Sequence, residues 1–220
     1  MDKALKWLIW PIMAIPGIYL SIVWNRLPDS IAIHFNLQGE PDRYGNKNEL
    51  LGMTLLCIGL SFILYFLLTT IARYDPKKTA IKNKTGLQRI AFAVSVFMAG
   101  ISCVIIHSAV TANIQLSTRY IFAGTGLLFC IIGNYMHSIK PNYFAGIRLP
   151  WTLENEENWR KTHLLGGKLF FAGGLVLSVI SLFAPPIVGF ITLISVTIII
   201  TLIPCIYSYR LYKKGKALVN

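Results

Sequence analysis

The chain has 220 residues, 55% of them hydrophobic and 14% charged, with a mean hydropathy of +0.58. A soluble domain carries about 25% charged residues, so the composition excludes a protein solvated on all sides and puts the membrane class first. The net charge of +12 would suit a nucleic-acid binder, yet basic cytoplasmic loops give a membrane protein the same surplus.

A membrane-crossing helix needs about 20 mostly apolar residues. The first such run covers 5–24 and contains Pro11, Pro16 and Gly17, so a kink is expected there. It starts with Lys3 and Lys6 but is too long for the apolar region of a signal peptide. Asn25-Arg26-Leu27-Pro28 follows it instead of small cleavage-site residues, so it reads as an uncleaved span.

The next hydrophilic loop runs over 25–49. Leu27-Pro28-Asp29 turns the chain, and Ile31-Ala32-Ile33-His34-Phe35 alternates and is rich in β-formers, which predicts a short extended segment. Gly39, Gly45 and Pro41-Asp42 are turn chemistry. His34, Glu40 and Asp42 match no metal-site spacing. Two readings stay open for this loop: a compact cap hydrogen-bonded within itself, or a ligand-recognition element containing Pro28, His34, Gly39 and Asp42.

A second apolar run at 50–72 leads to a basic loop, 73–89, with Arg73, Lys77, Lys78, Lys82, Lys84 and Arg89. The third and fourth runs cover 90–112 and 120–137. His107, near the end of the third, reads as a helix-end residue at the interface.

The stretch PNYFAGIRLPWTLENEENWRKTHLLGG, 141–167, holds the densest polar chemistry in the chain. Pro141 ends the fourth helix, Gly146 permits a tight turn and Pro150 fixes the approach to the next element. Thr152 reads as an N-cap with Glu154 in the first turn. Glu156/Arg160 and Glu157/Lys161 are spaced as i,i+4 pairs, each worth about 0.2–0.5 kcal/mol. These signals predict a short interfacial helix over 153–163, with Trp151 and Trp159 at headgroup level. Arg148 lies between Gly146 and Pro150, and its planar guanidinium suits carboxylates, phosphates or carbonyls. It either ties the loop to helix-end carbonyls or to Glu154, or forms a docking surface with Trp151 and Trp159 for a protein partner or lipid head group.

Gly166-Gly167 and Gly173-Gly174 open the fifth run, 169–184, and would let a neighbouring helix approach closely. Pro185-Pro186 turns the chain into the sixth run, 187–207, and a basic tail occupies 209–220. Counted over alternate connections, 17 of the 21 Lys and Arg fall on the side of the two termini. That asymmetry places both termini in the cytoplasm and accounts for the charge without direct nucleic-acid binding. The predicted fold is therefore an all-α integral membrane protein of six transmembrane helices. Its organisation is a two-span unit (1–72) with an extracytoplasmic loop, the basic loop 73–89, and a four-span region (90–208) with the interfacial helix between spans four and five.

No Asp, Glu, Lys or Arg lies in the middle of a span, which weighs against ion coupling. Cys57, Cys103, Cys130 and Cys205 stand alone in apolar runs and read as small packing residues rather than disulfides or metal ligands. His163 has no local thiol, and no HExxH motif or phosphate-cradling glycine loop occurs. The reading is of a non-enzyme without cofactor or metal.

Gly133-Asn134, Pro141-Asn142, Gly146-Ile147-Arg148, Pro150-Trp151-Thr152-Leu153, Trp159, Thr162-His163 and Gly166-Gly167-Lys168 resemble the signature of the SdpI family. The outer loop, with Leu27-Pro28, His34-Phe35-Asn36, Gly39-Glu40-Pro41-Asp42 and Lys47, resembles a small uncharacterised domain that commonly precedes it. Together the likenesses span about 5–207. The family consists of bacterial multi-pass membrane proteins whose namesake is an immunity protein against a secreted killing factor. The resemblance implies a peptide toxin as an outer-face partner, and a second role in holding a cytoplasmic repressor protein at the membrane. It marks Asn142, Gly146, Arg148, Pro150, Trp151, Thr152, Trp159, Thr162, His163 and Gly167 as the candidate partner- or ligand-binding set. The competing class is a transporter or lipid-modifying membrane enzyme that uses the Arg148/Trp151 loop to bind an anionic group.

Overall fold

A computed structural model describes residues 3–36, 41–70, 74, 84–111 and 114–217. Gly39, Glu40 and most of the basic loop 73–89 lie outside the described residues.

Among the described residues the fold has seven helices and one hairpin. Helix α1 (Lys3–Val23) ends in a 3-10 turn, Trp24–Arg26. Strands β1 (Ile31–Phe35) and β2 (Pro41–Gly45) form an antiparallel pair. Then come α2 (Lys47–Thr70), α3 (Lys84–Thr111), α4 (Ile114–Met136), α5 (Pro150–Glu154), α6 (Glu156–Phe183) and α7 (Pro186–Ala217). Pro11 and Pro16 lie inside α1, which continues through both.

Among the described residues five helices are long and apolar enough to cross a membrane: α1, α2, α3, α6 and α7. Only 17–33% of each span is buried within the protein. Their outward faces carry large apolar side chains such as Ile22, Leu56, Phe66, Leu175 and Ile198. A continuous apolar exterior of this kind is stable only where lipid covers it, and the chain is a multi-pass membrane protein. Helix α4, which covers the fourth expected run, is not among these five. Arg119, Asn134, Thr125 and three glycines dilute its hydropathy.

Helix α4 instead has the closest packing in the fold. It runs antiparallel to α6, with Gly126 against Gly174 and Gly133 against Gly167. Each pair of glycines is seven residues apart, two helical turns, so both fall on one face. A Cβ added at Gly133 would lie 2.6 Å from the Gly167 carbonyl oxygen and the Phe171 nitrogen. The backbones therefore approach as small residues allow in lipid, and this is the packing expected for Gly167 and Gly174. Ser178 Oγ crosses the seam to the Ala123 carbonyl at 3.0 Å.

The two ends of the bundle differ. Leu20, Val23, Ile31, Leu50 and Ile106 form a core under the hairpin, whereas Ile90, Ile139 and Trp159 form one under the polar stretch 137–163. Ile90 and Ile106 sit at opposite ends of α3, so the hairpin and the polar stretch cap opposite ends.

Candidate functional site

At the hairpin end, the expected extended segment is β1 itself. His34 Nδ1 and Asp42 Oδ1 face each other across the hairpin at 2.6 Å, Arg43 pairs with Glu49 at 3.1 Å, and Lys47 reaches Asp29 at 3.5 Å. The side chains thus bond among themselves, as the compact-cap reading expects. The His34 and Asp42 side chains are exposed, so the pair is also open to a ligand. Pro28 is exposed on the turn leading into β1.

At the other end the polar stretch is a single hydrogen-bonded knot. Asn142 is fully buried and spends every polar atom. Its amide donates to the Lys140 and Ala145 carbonyls at 2.8 and 3.1 Å, and its oxygen accepts from the Phe144 and Ala145 N–H groups at 2.9 and 2.7 Å. One side chain thereby satisfies a buried turn.

Gly146 follows at φ 113°, a conformation costly to any residue with a Cβ. An added Cβ there would also collide with His163 Nε2. His163 is buried, accepts the Ile147 N–H at Nε2 (3.0 Å) and lies 2.9 Å from the Trp159 carbonyl at Nδ1. A carbonyl can only accept, so the proton sits on Nδ1 and the imidazole is neutral in this arrangement.

Two expectations are corrected here. The interfacial helix over 153–163 does not exist as a separate element. Pro150 is the first residue of α5, as proline suits. Thr152 is the third residue of α5, not its N-cap; its Oγ1 accepts the N–H of the N-cap residue Leu149 at 2.9 Å and lies 2.9 Å from the Ile147 carbonyl. The break comes at Asn155, extended at φ −126°, whose side chain accepts the Asn158 N–H at 2.8 Å. Helix α6 therefore starts at Glu156 and runs unbroken into the fifth span. Of the two expected i,i+4 pairs, Glu157–Lys161 closes at 2.7 Å.

The second correction concerns Trp159. It is only 1% exposed, not at an interface; its indole N–H donates to the Ile139 carbonyl at 2.7 Å and its ring stacks on His163. Trp151 is half-buried, stacked on Tyr212 at 5.7 Å and tilted against Tyr209 at 5.3 Å, and donates to Ser208 Oγ at 3.0 Å. Arg148 is exposed and donates from Nη1 to the Tyr143 carbonyl at 2.8 Å, a loop carbonyl in place of Glu154 or a helix end.

Sequence reading missed Asn158 and Ser208. Asn158 donates to the Ser208 carbonyl at 2.9 Å and accepts from Thr162 Oγ1 at 3.0 Å. Both residues are buried, and together they fasten α6 to α7. The only signal was a lone serine between Tyr207 and Tyr209. Asn142, Gly146, Thr152, Trp159, Thr162 and His163 thus converge in one knot. Trp151 joins it through Ser208, Arg148 flanks it, and Gly167 belongs to the α4–α6 seam. Among the described residues no three His, Cys, Asp or Glu are grouped to hold a metal.

The knot is the region that carries the family match. Residues 138–208 match the SdpI/YfhL protein family, and 12–58 match a domain of unknown function, DUF1648. Over 138–208 the chain is similar to the SdpI/YfhL family. Immunity protein SdpI of Bacillus subtilis (strain 168) is 27% identical over 198 residues, covering 88% of each chain. No solved structure matches significantly. The SdpI/YfhL match begins one residue before the buried carbonyl of Ile139 and ends at Ser208, so it brackets the knot and its anchor on α7.

Proposed function

We propose that this chain is a bacterial membrane immunity protein that protects its producer from a secreted peptide toxin without a catalytic step. The observation that carries this reading is the likeness to a protein named as an immunity protein over 88% of both chains. The internal use of polar groups in the knot supports it: Asn142, Thr152, Asn158 and His163 all spend their donors on the protein itself. A transporter or head-group enzyme would need such groups turned toward a substrate.

In this reading α4 is a sixth crossing, since it lies antiparallel along α6 through the same layer. Both termini are then cytoplasmic, as the bias of basic residues suggests. The two-span unit 1–72 carries the hairpin outside, the basic loop 73–89 lies inside, and the four-span unit 90–208 carries the knot inside. The hairpin, with Pro28, His34, Gly39 and Asp42, faces the toxin. The exposed Arg148 beside Trp151 offers a cytoplasmic repressor protein a contact surface. The test is expression of the full chain in a toxin-sensitive bacterium: survival supports the reading, and killing at normal membrane levels of the protein refutes it.

A further inference from the structure

A groove between α3 and α4 carries chemistry that neither the knot nor the hairpin uses. Its first part, about 490 Å³, is lined by Arg89, Phe92, Ile131, Asn134, Tyr135 and Phe171. The Arg89 guanidinium lies 5.6 Å from the centre of the Tyr135 ring. Asn134 and Phe171 also line an adjoining recess of about 340 Å³ that adds His137 and Lys168. The side chains of Arg89, Asn134, His137 and Lys168 are all exposed, and no carboxylate among the described residues lines either part.

Through Ala93 and Ile131 the groove continues into an apolar stretch of about 310 Å³ along Phe97, Gly100, Gly124 and Leu127. From Arg89 to Gly100 a helix rises about 16 Å, close to half of the roughly 30 Å hydrocarbon layer. One end is cationic and hydrogen-bonding, and the remainder is apolar and one leaflet deep. Leu127 and Ile131 are exposed beside it, so it opens onto lipid.

We infer that this groove is a binding site for an anionic phospholipid of the leaflet at the knot end. The phosphate sits among Arg89, Lys168 and Asn134, and an acyl chain lies along Phe92 and Ile131 toward Gly100. The inference stands apart from the immunity reading, because it needs only the groove and its charges. A neutral lipid satisfies the apolar part alone, so the cationic end selects for net negative charge. Each basic residue near a membrane surface favours an anionic lipid by about fivefold.

The test is native mass spectrometry of the full chain, purified in detergent and supplied with phosphatidylglycerol or phosphatidylcholine. The wild type is expected to retain phosphatidylglycerol in preference to phosphatidylcholine. R89Q and K168Q should each reduce that preference about fivefold, and R89K should keep it, which separates loss of charge from loss of fold. At Gly100, which lines the groove, an added Cβ meets nothing within 4 Å, so the G100F side chain starts in open space and should lower retention of both lipids by filling the chain groove. Equal retention of the two lipids by the wild type overturns the inference, as does an unchanged preference in R89Q and K168Q. Displacement of the lipid by glycerol phosphate alone, with no effect of G100F, would mean a site for free phosphate. A dimer mass lost in G100F would mean that a second copy covers the groove. Either result also overturns it.

Discussion

The rings of Trp159 and His163 stack at 4.0 Å between centroids with 18° between their planes. One turn of α6 thus presents a flat double layer, and its polar edges hold two distant backbone groups and one of its own. Trp159 holds the Ile139 carbonyl, while His163 holds the Ile147 N–H and the carbonyl of Trp159 itself. The loop 137–149 is wrapped on this pair. H163F keeps a ring for stacking but strands the Ile147 N–H. It should cost about 1–3 kcal/mol, read as a lower unfolding midpoint in detergent, and an unchanged midpoint would dismiss the hydrogen bonds as minor.

Gly146 tests the same contact from the other side. G146A introduces a Cβ both at a positive φ and into His163 Nε2. The conformation alone costs about 1–2 kcal/mol. G215A, where a Cβ meets nothing within 4 Å, is the control and should leave the midpoint unchanged or slightly raised. Equal behaviour of the two variants would remove the steric account.

The α4–α6 seam makes a third prediction. G174V drives side-chain atoms into the Gly126 carbonyl and the Cys130 nitrogen, and overpacking of this sort costs about 1–3 kcal/mol or more. G52V on α2, which faces open space, should be tolerated. Folded yield in membranes, followed by fluorescence-detected size exclusion, distinguishes them: a monodisperse G174V peak at wild-type yield would contradict the seam.

Legibility in the sequence followed the range of the interactions. Strand β1 was readable because Ile31, Ile33 and Phe35 alternate. Its partner β2 was not, because Pro-Asp-Arg-Tyr-Gly carries turn residues and few β-formers. The start of α6 was misread because Thr152 and Asn155 are both good caps. Pro150 at the first position of α5 consumed the first of them, so the break fell three residues later. Trp159 resembles an interface aromatic in composition, and only the Ile139 carbonyl, 20 residues away, explains its burial. The Asn158–Ser208 bond spans 50 residues and has no local signature at all. Gly167 and Gly174 were readable as close-packing residues, but their partners Gly133 and Gly126 had to come from the fold.

Arg148 separates structure from partner binding. Its bond to the Tyr143 carbonyl is exposed, so R148K should change stability by less than about 1 kcal/mol. If the exposed fork contacts a cytoplasmic repressor, R148K should leave membrane levels intact and abolish induction of the operon that the repressor controls. Reduced protein levels would assign the arginine to folding, and unchanged induction would remove it from the contact surface.

Orientation is open to direct reading. Reporter fusions after Asn46 and Lys82 should give opposite compartment signals, extracytoplasmic at the first and cytoplasmic at the second. An extracytoplasmic signal at Lys82 would invert the arrangement and move the knot away from any cytoplasmic partner.

Protection itself is the most direct test of the account. A sensitive bacterium expressing the full chain is titrated with the toxin to which the Bacillus subtilis immunity protein gives immunity, and survival is scored against toxin dose beside cells expressing that relative. The account predicts a shift of the killing curve to higher dose, reduced by His34→Ala and Asp42→Ala at equal membrane abundance. A killing curve identical to that of empty cells, with the protein present in the membrane at the level of the relative, would contradict it.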